Sequence, residues 1–183
     1  MAFEQIQQRI TGGVVAVLGL FVLGSYVPLF RQHREQQYDF WLGLPSAARP
    51  VLYTLMFFAA AGFLAMVWDY VSRPLPTTGL FGKHKSIFPV LIAVCLLASA
   101  LWSIFTLQVS KSKTKSSLKG WAAGASASLV VVALCSILFI AGQAERVDPS
   151  SAALIGSLFF GLTTILTDGV LWNSRLLLQT FGR

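Results

Sequence analysis

The chain has 183 residues, of which 55% are apolar and only 11% charged, and its mean hydropathy is +0.70. A soluble domain carries about 25% charged residues, so this composition argues against a water-solvated globule. The formal charge of +7 does not point to nucleic acid, because Lys and Arg are confined to connectors and tails, as a membrane topology requires.

A helix needs roughly 20 apolar residues to cross the hydrocarbon core. Five stretches meet that length: 10–30, 51–70, 87–107, 121–141 and 152–172. They predict an all-α fold, a polytopic transmembrane bundle of about five spanning helices with short connectors. Residues 1–183 then form a single integral membrane domain, since no intervening segment is long enough to bury its own core.

In chain order, the tail Met1–Arg9 lacks a strong positive cluster, and the first apolar run is long enough to stay in the membrane. It reads as an uncleaved signal anchor. Pro28 is expected to bend the end of span one, with Tyr26 and Phe30 at an interface. The first connector places His33, Arg34, Glu35 and Asp39 before Phe40-Trp41-Leu42, a pattern suited to the headgroup layer. Span two ends in Trp68-Asp69-Tyr70. Asp69 and Arg73 are four apart with the acid first, the favourable helical order, and Pro74 and Pro76 then stop the helix. Ser86 is predicted to cap span three, with Pro89 in its first turn. Cys95 and Cys135 fall at similar depth if spans three and four are antiparallel. They read as two small buried residues, with a redox pair as the alternative.

The third connector carries Lys111, Lys113, Lys115 and Lys119 among Ser and Thr. Each lysine would gain about 1 kcal/mol beside anionic lipid, and phosphate on the hydroxyls would weaken that attraction. The alternative is that they only set topology. Span four opens at Gly120 and Trp121. Gly120, Gly124 and Ser128 repeat every four residues, which lets another helix approach closely. That helix belongs either to this chain or to a partner in a homo- or hetero-oligomer.

Pro149 stands at the start of span five. Ser157, Gly161, Thr164, Asp168 and Arg175 follow at spacings that share an arc of roughly 60° on an α-helix. Ser157, Thr164, Asp168 and Arg175 form a candidate polar path, and Gly161 a packing position. A carboxylate within such a helix faces protein or water, which makes Asp168 a candidate proton carrier. Alternatively, Asp168 lies about 16 residues into the span, roughly 24 Å along it, and meets water near the headgroups. The helix is expected to run on through Asn173 and Arg175 into Leu176-Leu177-Leu178.

Orientation follows from the cations. Arg9, Arg73, Lys83, Lys85 and Arg146 lie on one side. Arg31, Arg34, Arg49, the four connector lysines, Arg175 and Arg183 lie on the other. The positive-inside rule then puts the N-terminus outside and the C-terminus in the cytoplasm.

Chemical motifs are sparse. Asp168-Gly169 matches only the first pair of the CDP-alcohol phosphotransferase motif. The Ala-Arg that should follow and the downstream aspartates are missing, which excludes that family. No Gly-x-Ser-x-Gly elbow, His-Glu-x-x-His zinc site or potassium-filter sequence occurs. His33, Glu35 and Asp39 with His84 lack diagnostic metal spacing, so neither a cofactor nor a metal is expected. The leading expectation is a non-enzymatic structural, scaffold or accessory protein working through helix packing in the lipid bilayer. The alternatives are a small channel or transporter, proton-coupled through Asp168, and a lipid-modifying enzyme using His33, Glu35 or Asp39.

Overall fold

The computed structural model describes residues 2–34, 45–73, 79–84, 86–145 and 150–181, and no strand occurs among them. Helix α1 (Ala2–Arg34) is followed by a 3-10 turn (Ser46–Ala48) that leads into α2 (Arg49–Ser72). Next come the short α3 (Gly79–Lys83), α4 (Ile87–Lys111) and α5 (Lys115–Ala144). Helix α6 (Ser151–Thr163) continues through a π-helical stretch (Thr164–Trp172) into α7 (Asn173–Phe181). Five helical rods are long and apolar enough to cross a membrane: α1, α2, α4, α5 and the continuous α6–α7.

The rods outrun the apolar stretches that predict them. Hydropathy marks where apolar residues end, whereas a cap or a breaker ends a helix. The clearest case is α5, which starts at Lys115 rather than near Gly120. Thr114 is its N-cap, and the hydroxyl accepts the Ser117 N–H at 3.2 Å. Lys115 and Lys119 therefore stand on a helix, not in a connector. Ser86 occupies the N-cap position of α4, but its backbone is helical and its hydroxyl makes no capping bond. Side-chain capping needs an extended backbone there. The Ile87 N–H instead donates to the His84 carbonyl at 2.9 Å. Helix α1 runs through Pro28 to Arg34. Asp69 and Arg73 form the expected ion pair, at 3.2 Å. The His33 side chain, residues 35–44, Pro74, Pro76 and Pro149 lie outside the described residues.

The tightest pairs are α4 with α5 and α2 with α6, while α1 lies along α4. One core cluster centres on Phe63, Met66, Tyr70, Phe88, Phe139 and Phe160. Tyr70 stacks on Phe88 at 3.9 Å, and Phe81 meets Phe88 edge-on at 5.0 Å. Phe81 is delivered by α3. That helix begins at Gly79, whose φ of 69° suits a residue without a Cβ. Its Leu80 N–H donates to Glu145 Oε2 at 2.7 Å. A second cluster gathers Leu29, Trp102, Ala122, Ala125, Trp172 and Leu176. Gln8 ties α1 to the end of α2, donating to the carbonyls of Arg73 at 2.6 Å and Tyr70 at 3.3 Å.

Helices α2 and α6 touch backbone to backbone. A Cβ added at Gly156 would lie 2.6 Å from the Gly62 carbonyl oxygen, and one at Gly62 would collide with Gly156. Gly124 is covered by the Phe105 ring, 3.0 Å from where its Cβ would be, whereas Gly120 meets nothing within 4 Å. Gly156→Ala is therefore expected to cost about 1–3 kcal/mol through overpacking. Gly120→Ala should be neutral or stabilise by up to about 1 kcal/mol through helix propensity. Unfolding in mixed micelles, followed by circular dichroism, separates the two. Equal effects would show that the backbone contact is not as close as described.

Candidate functional site

Three threonines shape the middle of the last rod. Thr164 donates to the Phe160 carbonyl, and Thr167 donates to the Thr163 carbonyl at 2.7 Å. Such back-bonding by hydroxyls loosens and bends helices, and Gly169 adds a weak helix former to the same turn. The chain there takes π geometry, and the Asn173 N–H donates to the carbonyl of Asp168, five residues back. Turns of this width keep residues four or five apart in line. Thr163, Thr164, Thr167, Asp168 and Trp172 consequently face one groove. Local π geometry of this kind is frequent at functional sites.

The groove lies between α1, α2, α4 and α6 and has a volume of about 1080 Å³. Its lining is mostly apolar: Leu20, Leu23 and Val27 from α1, Phe63 and Leu64 from α2, and Cys95 and Leu96 from α4. Leu20, Leu23 and Leu64 are also 71%, 67% and 58% exposed. The groove thus opens sideways between helices.

Asp168 is the acid in this lining. Its Oδ1 lies 3.0 Å from the Thr167 hydroxyl, whose single proton is shared between Asp168 and the nearer Thr163 carbonyl, and among the described residues no Lys or Arg pairs with it. Three rings stand at the same level: Tyr26 from α1, Trp102 from α4 and Trp172 from the π stretch. Tyr26 and Trp102 are 5.6 Å apart between centroids, tilted by 54°, and Trp102 meets Trp172 edge-on at 6.0 Å. All three line the groove with Asp168. Behind the groove, Ser136 of α5 and Thr164 share a hydrogen bond at 2.8 Å. The free thiols of Cys95 and Cys135 are hydrogen-bonded to each other, linking α4 to α5.

Of the span-five residues singled out from the sequence, Thr164 and Asp168 line the groove. Ser157 is buried outside that lining and donates to the Leu154 carbonyl at 2.8 Å. Gly161 sits against Ile140 of α5, and Arg175 lies on α7, beyond the groove. A constant turn of 100° per residue groups all five on one face; the π stretch changes that relation for Asp168 and Arg175, which follow its start at Thr164. On α5, Gly124 faces Phe105, Ser128 donates to the Gly124 carbonyl at 3.0 Å, and Gly120 faces open space. Lys111, Lys113, Lys115 and Lys119 are exposed together at one end of the bundle. The Lys119 ammonium stands 5.6 Å above the Phe181 ring. Tyr26, Trp102, Trp172, Thr163 and Thr167 are the residues that spacing does not reveal. Their one sequence signal is that successive spans alternate in direction, so spans one, three and five run the same way and carry the three rings and Asp168 toward the same end.

Compared with protein-family models, curated proteins and solved structures, the chain matches none.

Thr164→Val keeps the side-chain shape and removes the hydroxyl shared with Ser136. It is expected to cost about 0.5–1.5 kcal/mol. In a Ser136→Ala background the loss should shrink, because the two groups are partners. Strictly additive losses in denaturant unfolding would show that they are not coupled.

Proposed function

We propose that this protein is a small multi-pass membrane carrier that holds its solute in the groove between α1, α2, α4 and α6, with Asp168 as the proton-exchanging group. The position of Asp168 supports this reading. A carboxylate facing an apolar groove is costly unless something neutralises it. Its one hydrogen-bond donor is the neutral Thr167 hydroxyl, so a proton or a solute must supply the compensating charge. Large apolar pockets with a few convergent polar groups are the usual form of a binding site.

In this reading the exposed apolar residues around the bundle, among them Trp68, Phe57 and Leu20, face acyl chains. The nine-to-five cation bias places the N-terminus outside and the C-terminus with the four exposed lysines in the cytoplasm, beside anionic lipid. A tag at the C-terminus should then be cleaved only in inverted vesicles, and one at the N-terminus only in right-side-out vesicles. The opposite pattern would reverse the orientation.

The carrier reading predicts that purified protein in vesicles with an entrapped pH dye moves protons when an amphiphilic solute gradient is imposed. Asp168→Asn should abolish that coupled movement, and Asp168→Glu should retain part of it. Wild-type vesicles that never couple proton to solute movement across a solute panel, or an Asp168→Asn variant as active as wild type, would overturn it.

A second reading, assembly through helix contacts, draws on α1. Gly12, Gly13, Gly19 and Gly24 have nothing within 4 Å of where a Cβ would stand, and small residues are the usual points of close helix approach in lipid. Native mass spectrometry from gentle detergent tests it. A monomer that carries no partner would remove it.

A further inference from the structure

We infer that the groove selects bulky organic cations, quaternary ammonium or phosphonium compounds with apolar bodies. This assignment rests on the carrier reading above and adds the class of solute. The groove offers one negative group, Asp168, flanked by three aromatic rings from three different helices. Trp102 is tilted against Tyr26 and edge-on to Trp172 rather than stacked on either, and all three residues line the groove with the acid. Ring faces attract cations that cannot donate hydrogen bonds, and the attraction grows where water is excluded. The remaining lining is aliphatic and aromatic, which suits the hydrocarbon substituents of such a cation.

Other occupants fit less well. An anion would meet the Asp168 charge with no Lys or Arg to offset it. A neutral acyl chain would leave the proton on Asp168 and so would account for no exchange. A small metal ion would find one carboxylate and a few hydroxyls, short of the six or more oxygens that hard cations take. The cation also explains the proton exchange in charge-balanced form. A cation entering the groove takes the place of the proton on the Asp168 carboxyl, and that proton leaves to water, so one positive charge replaces another. The titratable groups facing Asp168 are the Tyr26 phenol from α1 and the Cys95 thiol from α4, with Cys135 of α5 bonded to Cys95. Helices α2 and α5 add no titratable side chain to the groove lining.

The test uses the full chain in detergent and two probes of matched shape and opposite charge, tetraphenylphosphonium and tetraphenylborate. Binding is read by quenching of tryptophan fluorescence and by titration calorimetry in buffers of different protonation enthalpy. The expected result is saturable binding of tetraphenylphosphonium with proton release, and at least tenfold weaker binding of tetraphenylborate. Asp168→Asn should lose binding by tenfold or more and release no proton, whereas Asp168→Glu should keep both. Trp102→Leu should weaken binding by about 2- to 30-fold without changing the proton count. Circular dichroism and size-exclusion profiles report whether each variant is folded, and Asp168→Glu carries the comparison should Asp168→Asn misfold. Equal affinity for the two probes, or undiminished binding by folded Asp168→Asn, would overturn the cation assignment while leaving a groove that carries neutral solutes. Binding of neither probe, together with no coupled flux in vesicles, would overturn this assignment and the carrier reading together.

Discussion

Unequal helix packing is the constraint on which the rest of this structure depends. Helices α2 and α6 meet at Gly62 and Gly156, where no side chain separates the two backbones. Helices α4 and α5 are also closely paired, with Phe105 lying over Gly124. Helix α1 has no equivalent contact with α2. Its glycines at 12, 13, 19 and 24 meet nothing, and bulky side chains, Tyr26 and Leu29 among them, hold it against α4. Two tight pairs and a first helix that packs along α4 but barely on α2 leave a gap, and that gap is the groove. A contact between two glycines gains dispersion that an open groove forgoes. The groove is therefore a retained cost, of the sort that functional sites impose on otherwise consistent folds.

The π stretch determines what the groove contains. Had the last rod kept regular α geometry from Ser151 to Phe181, Thr164, Asp168 and Trp172 would drift around the helix by about 40° at each step of four. Wider turns hold them in line. The hydroxyls that drive the distortion, Thr164 and Thr167, also serve the site: Thr167 shares its proton with Asp168, and Thr164 locks the segment to Ser136 of α5. Local strain and functional geometry thus share the same residues.

Much of the architecture was legible in the sequence. Five apolar runs interrupted by charged connectors announce five long helices, and the Asp69–Arg73 spacing announces its ion pair. Helix ends were less legible, because Thr114 starts α5 within a run of lysines that hydropathy assigns to a connector. Asp168 stood out as an acid among apolar neighbours, but its surroundings did not. Tyr26, Trp102 and Trp172 are far apart in the chain, and only the packing of α1 beside α4 gathers them. The small-residue signal was ambiguous for a related reason. Spacing marks Gly120 and Gly124 alike, yet one faces open space and the other a phenyl ring, while Gly62 and Gly156 make the closer approach.

The chain carries a formal charge of +7, yet none of its cations among the described residues answers Asp168. Among the described residues, the lysines and arginines sit near the rod ends. In the carrier reading, a lysine reaching into the groove would neutralise Asp168 permanently and leave nothing for a solute to do. Charge placement in this chain thus separates two tasks. In the carrier reading, cations at the ends set how the bundle sits, and the acid in the groove, which has no Lys or Arg partner among the described residues, exchanges its proton for a positively charged solute.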